Sequence, residues 1–268
     1  MKRGGEGRIR IGVGGWTYDP WRGMFYPDGL AQKRELEFAS RKLTAIEING
    51  TYYGSQKPAS FIKWHDETPD DFVFSVKGSR YTTNRRVLAE AGESIERFFN
   101  SGVMHLGAKL GPILWQFMAT KKFDPADFEG FLKRLPRSVE GQAVRHAVEV
   151  RHDSFRTPEF VALAAEHGVA IVVAGDSAYP QIADPTASFV YARIMGTAED
   201  EALGYSGEAL DQWVRRARQW ASGGMADGLA AVGTAGKAGG AREVFLYVIS
   251  GFKARNPAAA MAMIERVG

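Results

Sequence analysis

At 268 residues the chain suits one α/β barrel, which typically takes about 250 residues, and no apolar run approaches the roughly 20 residues that cross a bilayer. Cysteine is absent, which excludes disulfides, thiolate metal sites, iron–sulfur clusters and a cysteine nucleophile. A formal net charge of +3 tolerates an anionic ligand but falls short of the clustered basic face of a nucleic-acid binder.

Residues 1–8 are polar, with no apolar segment, so no secretory signal is expected and a cytoplasmic location is. Eight short apolar runs then read as strands, near 9–14, 44–49, 72–77, 112–117, 145–151, 169–175, 189–194 and 243–249. Several are apolar nearly throughout, as in a parallel sheet covered on both faces. Helical segments with explicit start signals lie between the later ones. Asp124-Pro125 precedes Phe128, Phe131, Leu132 and Leu135 at helical spacing, and Thr157-Pro158 precedes Phe160, Leu163 and Ala164, with Gly168 as the stop. Ser206 precedes the stripe Leu210, Trp213, Val214, Ala217 and Trp220, and Asn256-Pro257 opens a last helix with Met261 and Ile264 facing inward. Residues 222–242 hold glycine, alanine and little that can pack, which predicts a mobile loop. Alternation of strand and helix predicts one TIM-type (β/α)8 barrel over 1–268, a parallel eight-stranded sheet with outer helices.

Several strand candidates finish on groups that buried strands exclude: Glu47 and Asn49, Lys77, Gln116, Glu149 and Arg151, Asp176, and Arg193. Side chains alternate along a strand, so Ile46 and Ile48 toward the helices leave Glu47 and Asn49 toward the barrel axis. Glu149 and Arg151 repeat the pattern. The C-terminal ends of barrel strands converge on one face, so a single pocket is expected there. Glu149, Glu47, Lys77 and Asp176 are its candidate catalytic groups, with the two glutamates in proton transfer. Lys77, Arg151 and Arg193 would hold an anion. Asn49, Gln116, Tyr53, Trp16 and His152 are further candidate ligand contacts, and so are Arg80 and Tyr81 on the basic segment 77–86.

The competing structural reading is an internal ion network, with Glu149 on Arg151 or Arg193 and Glu47 on Lys77. No cofactor is expected. A divalent ion on Glu47, Glu149 and Asp176 is the alternative, and the cations in the same pocket weigh against it. The partner expected is a small anionic or sugar-like molecule, hydrolysed or isomerised. The rivals are a nucleic-acid-processing, endonuclease-like barrel with a basic rim and a ligand-binding barrel without catalysis.

Ile11-Gly12-Val13-Gly14-Gly15-Trp16-Thr17-Tyr18, Glu47-Ile48-Asn49-Gly50-Thr51-Tyr52-Tyr53, Thr68-Pro69-Asp70-Asp71-Phe72 and Lys77 with Ser79-Arg80-Tyr81 resemble the YecE-like proteins, domain-of-unknown-function family 72. So do Trp21-Arg22-Gly23-Met24-Phe25-Tyr26-Pro27, Lys109-Leu110-Gly111-Pro112, Glu149-Val150-Arg151-His152-Asp153-Ser154-Phe155 and Asp176-Ser177. The resemblance runs over nearly the whole chain and implies a TIM-type barrel with no established activity. Three places depart from its pattern: Met195 where a histidine follows the seventh-strand arginine, Ile249-Ser250-Gly251 where asparagine and aspartate end the last strand, and Thr83-Asn84 for threonine-histidine.

Overall fold

The computed structural model describes residues 6–233 and 239–268. Nine strands form one parallel sheet: β1 (Ile9–Gly14), β2 (Ala45–Ile48), β3 (Val73–Lys77), β4 (Leu110–Gln116), β5 (His146–Glu149), β6 (Ala170–Ile171), β7 (Val173–Gly175), β8 (Phe189–Ile194) and β9 (Glu243–Val248). They lie at the eight expected places, because the sixth run is broken in two. β6 pairs with β5, and β7 pairs with β8. Between them the Val172 amide donates to the Val148 carbonyl at 2.9 Å. One short segment therefore meets both edges of the sheet and closes the barrel. A two-stranded antiparallel hairpin, Ser138–Val139 with Gln142–Ala143, precedes β5.

The outer helices start where their caps direct. Asp124 accepts from the Asp127 amide, Thr157 from Phe160 and Ser206 from Ala209, opening helices Pro125–Leu132, Pro158–Glu166 and Gly207–Ala221. In the last helix, Asn256–Val267, Ala259, Ala260, Ala262 and Met263 are the buried face, while Met261 and Ile264 are only half-buried. Its inward stripe is thus shifted from the expected one. Among the described residues no helix is long and apolar enough to cross a membrane.

Two apolar layers follow from the strand period. Outward residues such as Ile46, Val76, Trp115 and Val148 pack against the helices, and inward residues such as Ala45, Leu114, Tyr191 and Phe245 fill the barrel. The N-terminal end of the barrel is braced by Glu243, which accepts from Arg10 and from Arg145, both at 2.6 Å.

The segment expected to be a mobile loop is docked along part of its length. The buried Asp184 carboxylate accepts from the amides of Val232 (2.7 Å) and Gly233 (3.0 Å), and Ala226 is buried. Backbone amides make these contacts, which is why a composition poor in large side chains did not reveal them. Its residues 234–238 lie outside the described residues, as do residues 1–5 of the polar start.

Candidate functional site

Strand alternation carries Glu47 from β2 and Arg193 from β8 into the barrel interior, at its C-terminal end. Arg193 grips Glu47 through two parallel bonds, Nε to Oε2 and Nη2 to Oε1, each 3.0 Å. Its Nη1 also donates to Glu149 of β5 and, at 3.4 Å, to the side-chain amide oxygen Oε1 of Gln116 of β4. Arg151 Nε donates to the other Glu149 oxygen at 2.6 Å, and the Tyr191 hydroxyl donates to Glu47 at 2.7 Å. Both carboxylates are wholly buried. Such burial is tolerated only when every oxygen is matched, as here.

The electrostatics follow from this wiring. Burial alone would push the Glu149 carboxyl up, but the guanidiniums of Arg193 and Arg151 outweigh it and hold the group below its ordinary range. Burial likewise disfavours the charged form of Arg193, and the two glutamates overcome it and raise its pKa. Lys77, at the end of β3, differs. Its ammonium lies 4.3 Å from the centre of the Tyr52 ring, and among the described residues it has no carboxylate within ion-pairing distance. Burial, with Arg193 second, pushes its pKa down from 10.5 to about 8, against the pull of Glu47 and Glu149. The cluster therefore holds three cations against two carboxylates.

Above Arg193 opens a cleft of about 660 Å³ over the ends of β1, β2 and β9. Trp16, Asn49, Tyr53 and Arg193 line it. Gly14 keeps its floor open, since a Cβ there would come within 2.9 Å of the Asn49 amide nitrogen. Lys77 and Gln116, both buried, and Arg151, one-fifth exposed, belong to the other half of the barrel mouth. Trp16 also packs edge-on against Trp64 at 5.2 Å, so it serves the core and the cleft wall together.

Other candidates fall elsewhere. Asp176 does not join the interior cluster: its backbone turns to φ 52°, strand alternation ends there, and its carboxylate accepts from Trp213 Nε1 at 2.8 Å. It holds the helix Gly207–Ala221 to the barrel. His152 accepts from the Ser154 amide at 3.1 Å as a local cap. Arg80 and Tyr81 stand on the rim, the Arg80 guanidinium 5.9 Å from the Tyr53 ring and 5.6 Å from the Tyr81 ring. Among the described residues no three histidine or carboxylate side chains come together as a metal-ligand set. Glu47 and Glu149 already spend their oxygens on Arg193, Arg151 and Tyr191, and Asp176 is turned away, so these three do not fit a divalent ion.

Sequence reasoning missed Lys253, Gln56, Ser250 and Asn256 on the cleft wall. Lys253 sits over the Tyr18 ring at 4.2 Å. Its loop leaves β9 through Ser250 and Gly251, both with positive φ, and a Cβ on Gly251 would strike Thr197 at 2.5 Å. The Ser-Gly pair after the last strand was the available signal for a tight turn into the cleft.

The family described as "Protein of unknown function DUF72" matches residues 10–268. The chain belongs to this family. It is 27% identical over 150 residues to the UPF0759 protein YecE of Escherichia coli K12, an alignment that takes in 55% of this chain. The chain spans about half the length of that curated relative, 50%. Among solved structures, a DUF72 family protein of Thermotoga maritima (TM1631) superposes with a TM-score of 0.70 at 21% identity, covering 97% of this chain and 99% of the other. A DUF72 family protein of Enterococcus faecalis (EF0366) gives 0.70 at 16% identity, with 97% and 98% covered. At such identities the two structures speak for the barrel fold alone.

Proposed function

We propose that this DUF72 barrel binds a small anionic ligand, phosphorylated or sugar-like, at its C-terminal mouth. One observation carries the reading: among the described residues the only carboxylates paired with Arg193, Arg151 or Lys77 are Glu47 and Glu149, which leaves the buried Lys77 without an ion-pair partner there. A buried unpaired charge is costly, and an incoming anion relieves that cost. Arginine offers the donor geometry that phosphate and carboxylate accept, and the cleft has room for a sugar-sized body beside Trp16 and Tyr53.

This reading redistributes the roles expected of the glutamates. Glu47 and Glu149 are sealed and committed to guanidinium groups, so they orient Arg193 rather than exchange protons with a ligand. Lys77 is the group able to lose and regain a proton near neutral pH, and it sits next to the anion position. Proton transfer to or from a bound anion, as in its isomerisation or in its hydrolysis by an attacking water, is the reaction class this arrangement supports.

A thermal-shift titration with inorganic phosphate tests it. The reading expects the melting temperature to rise with phosphate in the parent protein and to rise clearly less in Arg151→Gln with Lys77→Met. An identical rise in both proteins would refute the site.

A further inference from the structure

A second hollow, about 390 Å³ in volume, opens beside the barrel mouth between the loop after β2 and the loop after β3. Thr51, Ser55, Gln56, Ser79 and Arg85 line it, together with Tyr81. Gln56 also lines the central cleft, so the two spaces meet at one side chain. The Arg85 Nε is buried and has no hydrogen-bond partner among the described residues. The carboxylate in the same wall, Glu93, is already held by Arg97 at 2.7 Å. Ser79 Oγ accepts from the Tyr81 amide at 3.2 Å, which leaves its own proton free to donate. An arginine that lines the hollow with no ion-pair partner among the described residues, the Ser79 hydroxyl proton and the Gln56 side-chain amide make a receptor for a tetrahedral oxyanion.

We infer that this hollow is a second anion subsite, and that the ligand of this barrel is a small molecule carrying two phosphate-like groups. One group sits at the mouth by Arg193 and Lys77, the other against Arg85 and Ser79. The claim about the first group rests on the function proposed above; the claim about Arg85 does not. Tyr53 and Tyr81, 65% and 64% exposed, flank Arg80 on the rim and offer their faces to the body that joins the two ends.

Isothermal titration with inorganic phosphate separates the two claims, applied to the parent protein, Arg85→Gln, Arg85→Lys and Lys77→Met. Two phosphates are expected to bind the parent. Arg85→Gln weakens one of them by about tenfold or more, Arg85→Lys recovers it in part and so shows that charge rather than folding was lost, and Lys77→Met weakens only the other. A single phosphate that ignores Arg85→Gln and disappears in Lys77→Met overturns the second subsite and leaves the central one standing. A single phosphate lost in Arg85→Gln and indifferent to Lys77→Met does the reverse. No phosphate bound by the parent overturns both.

Discussion

The two ends of this barrel are built from the same ingredients, arginines around glutamate, and they come to opposite results. At the N-terminal end, Arg10 and Arg145 share Glu243, Arg10 also donates to the Asp71 carbonyl at 2.6 Å, and the Arg145 guanidinium lies 4.9 Å from the Phe245 ring. Each cation there has a carboxylate oxygen. At the C-terminal end the carboxylates are deeper, Arg193 consumes most of their oxygens, and Lys77 is left over. A closed brace stabilises. An open one holds an unsatisfied charge at a cleft, which is a cost to folding unless a ligand uses it.

The largest expected effect breaks the buried half of that contrast. Arg193→Met removes the partner of two sealed carboxylates and is expected to cost about 3–5 kcal/mol, read as a lowered midpoint in chemical denaturation. A loss under about 1 kcal/mol would mean the network is open to water. Lys77→Met goes the other way, because it removes a buried charge with no counter-ion. It is expected to gain on the order of 1–3 kcal/mol while weakening phosphate binding. The pH dependence sharpens the same point. The folded pKa of about 8 lies below the unfolded 10.5, so the Lys77 penalty is fully present below pH 8 and is relieved as pH rises from 8 to 10.5. Phosphate affinity should fall over that rise, and an affinity that stays flat through pH 9 would remove Lys77 from the site. The smallest effect belongs to the other end: Arg145→Gln, on a side chain one-third exposed, should cost less than about 1 kcal/mol and leave phosphate binding unchanged.

Much of the barrel was legible because parallel strands buried on both faces must be written as short apolar runs, and because Asp124, Thr157 and Ser206 announce their helices. The break at Val172 was not legible, since it answers to the two edges that one segment has to join. In the site, the inward placement of Glu47 and Arg193 follows from the two-residue period alone. That period stops at Asp176, where a positive φ turns the carboxylate toward Trp213, and no pattern in the flanking residues marks the turn. Lys253 reaches its cavity from a single 3-10 turn, Lys253–Arg255, and Arg85 from a loop, both too short for a periodicity to constrain direction.

The most direct measurement is the titration of Lys77 itself, followed by NMR on protein labelled at the lysine ε-carbon, with and without inorganic phosphate. The account predicts one lysine resonance, absent in Lys77→Met, that titrates near pH 8 and moves upward when phosphate is added. A Lys77 resonance that titrates at the ordinary lysine value and ignores phosphate would contradict it.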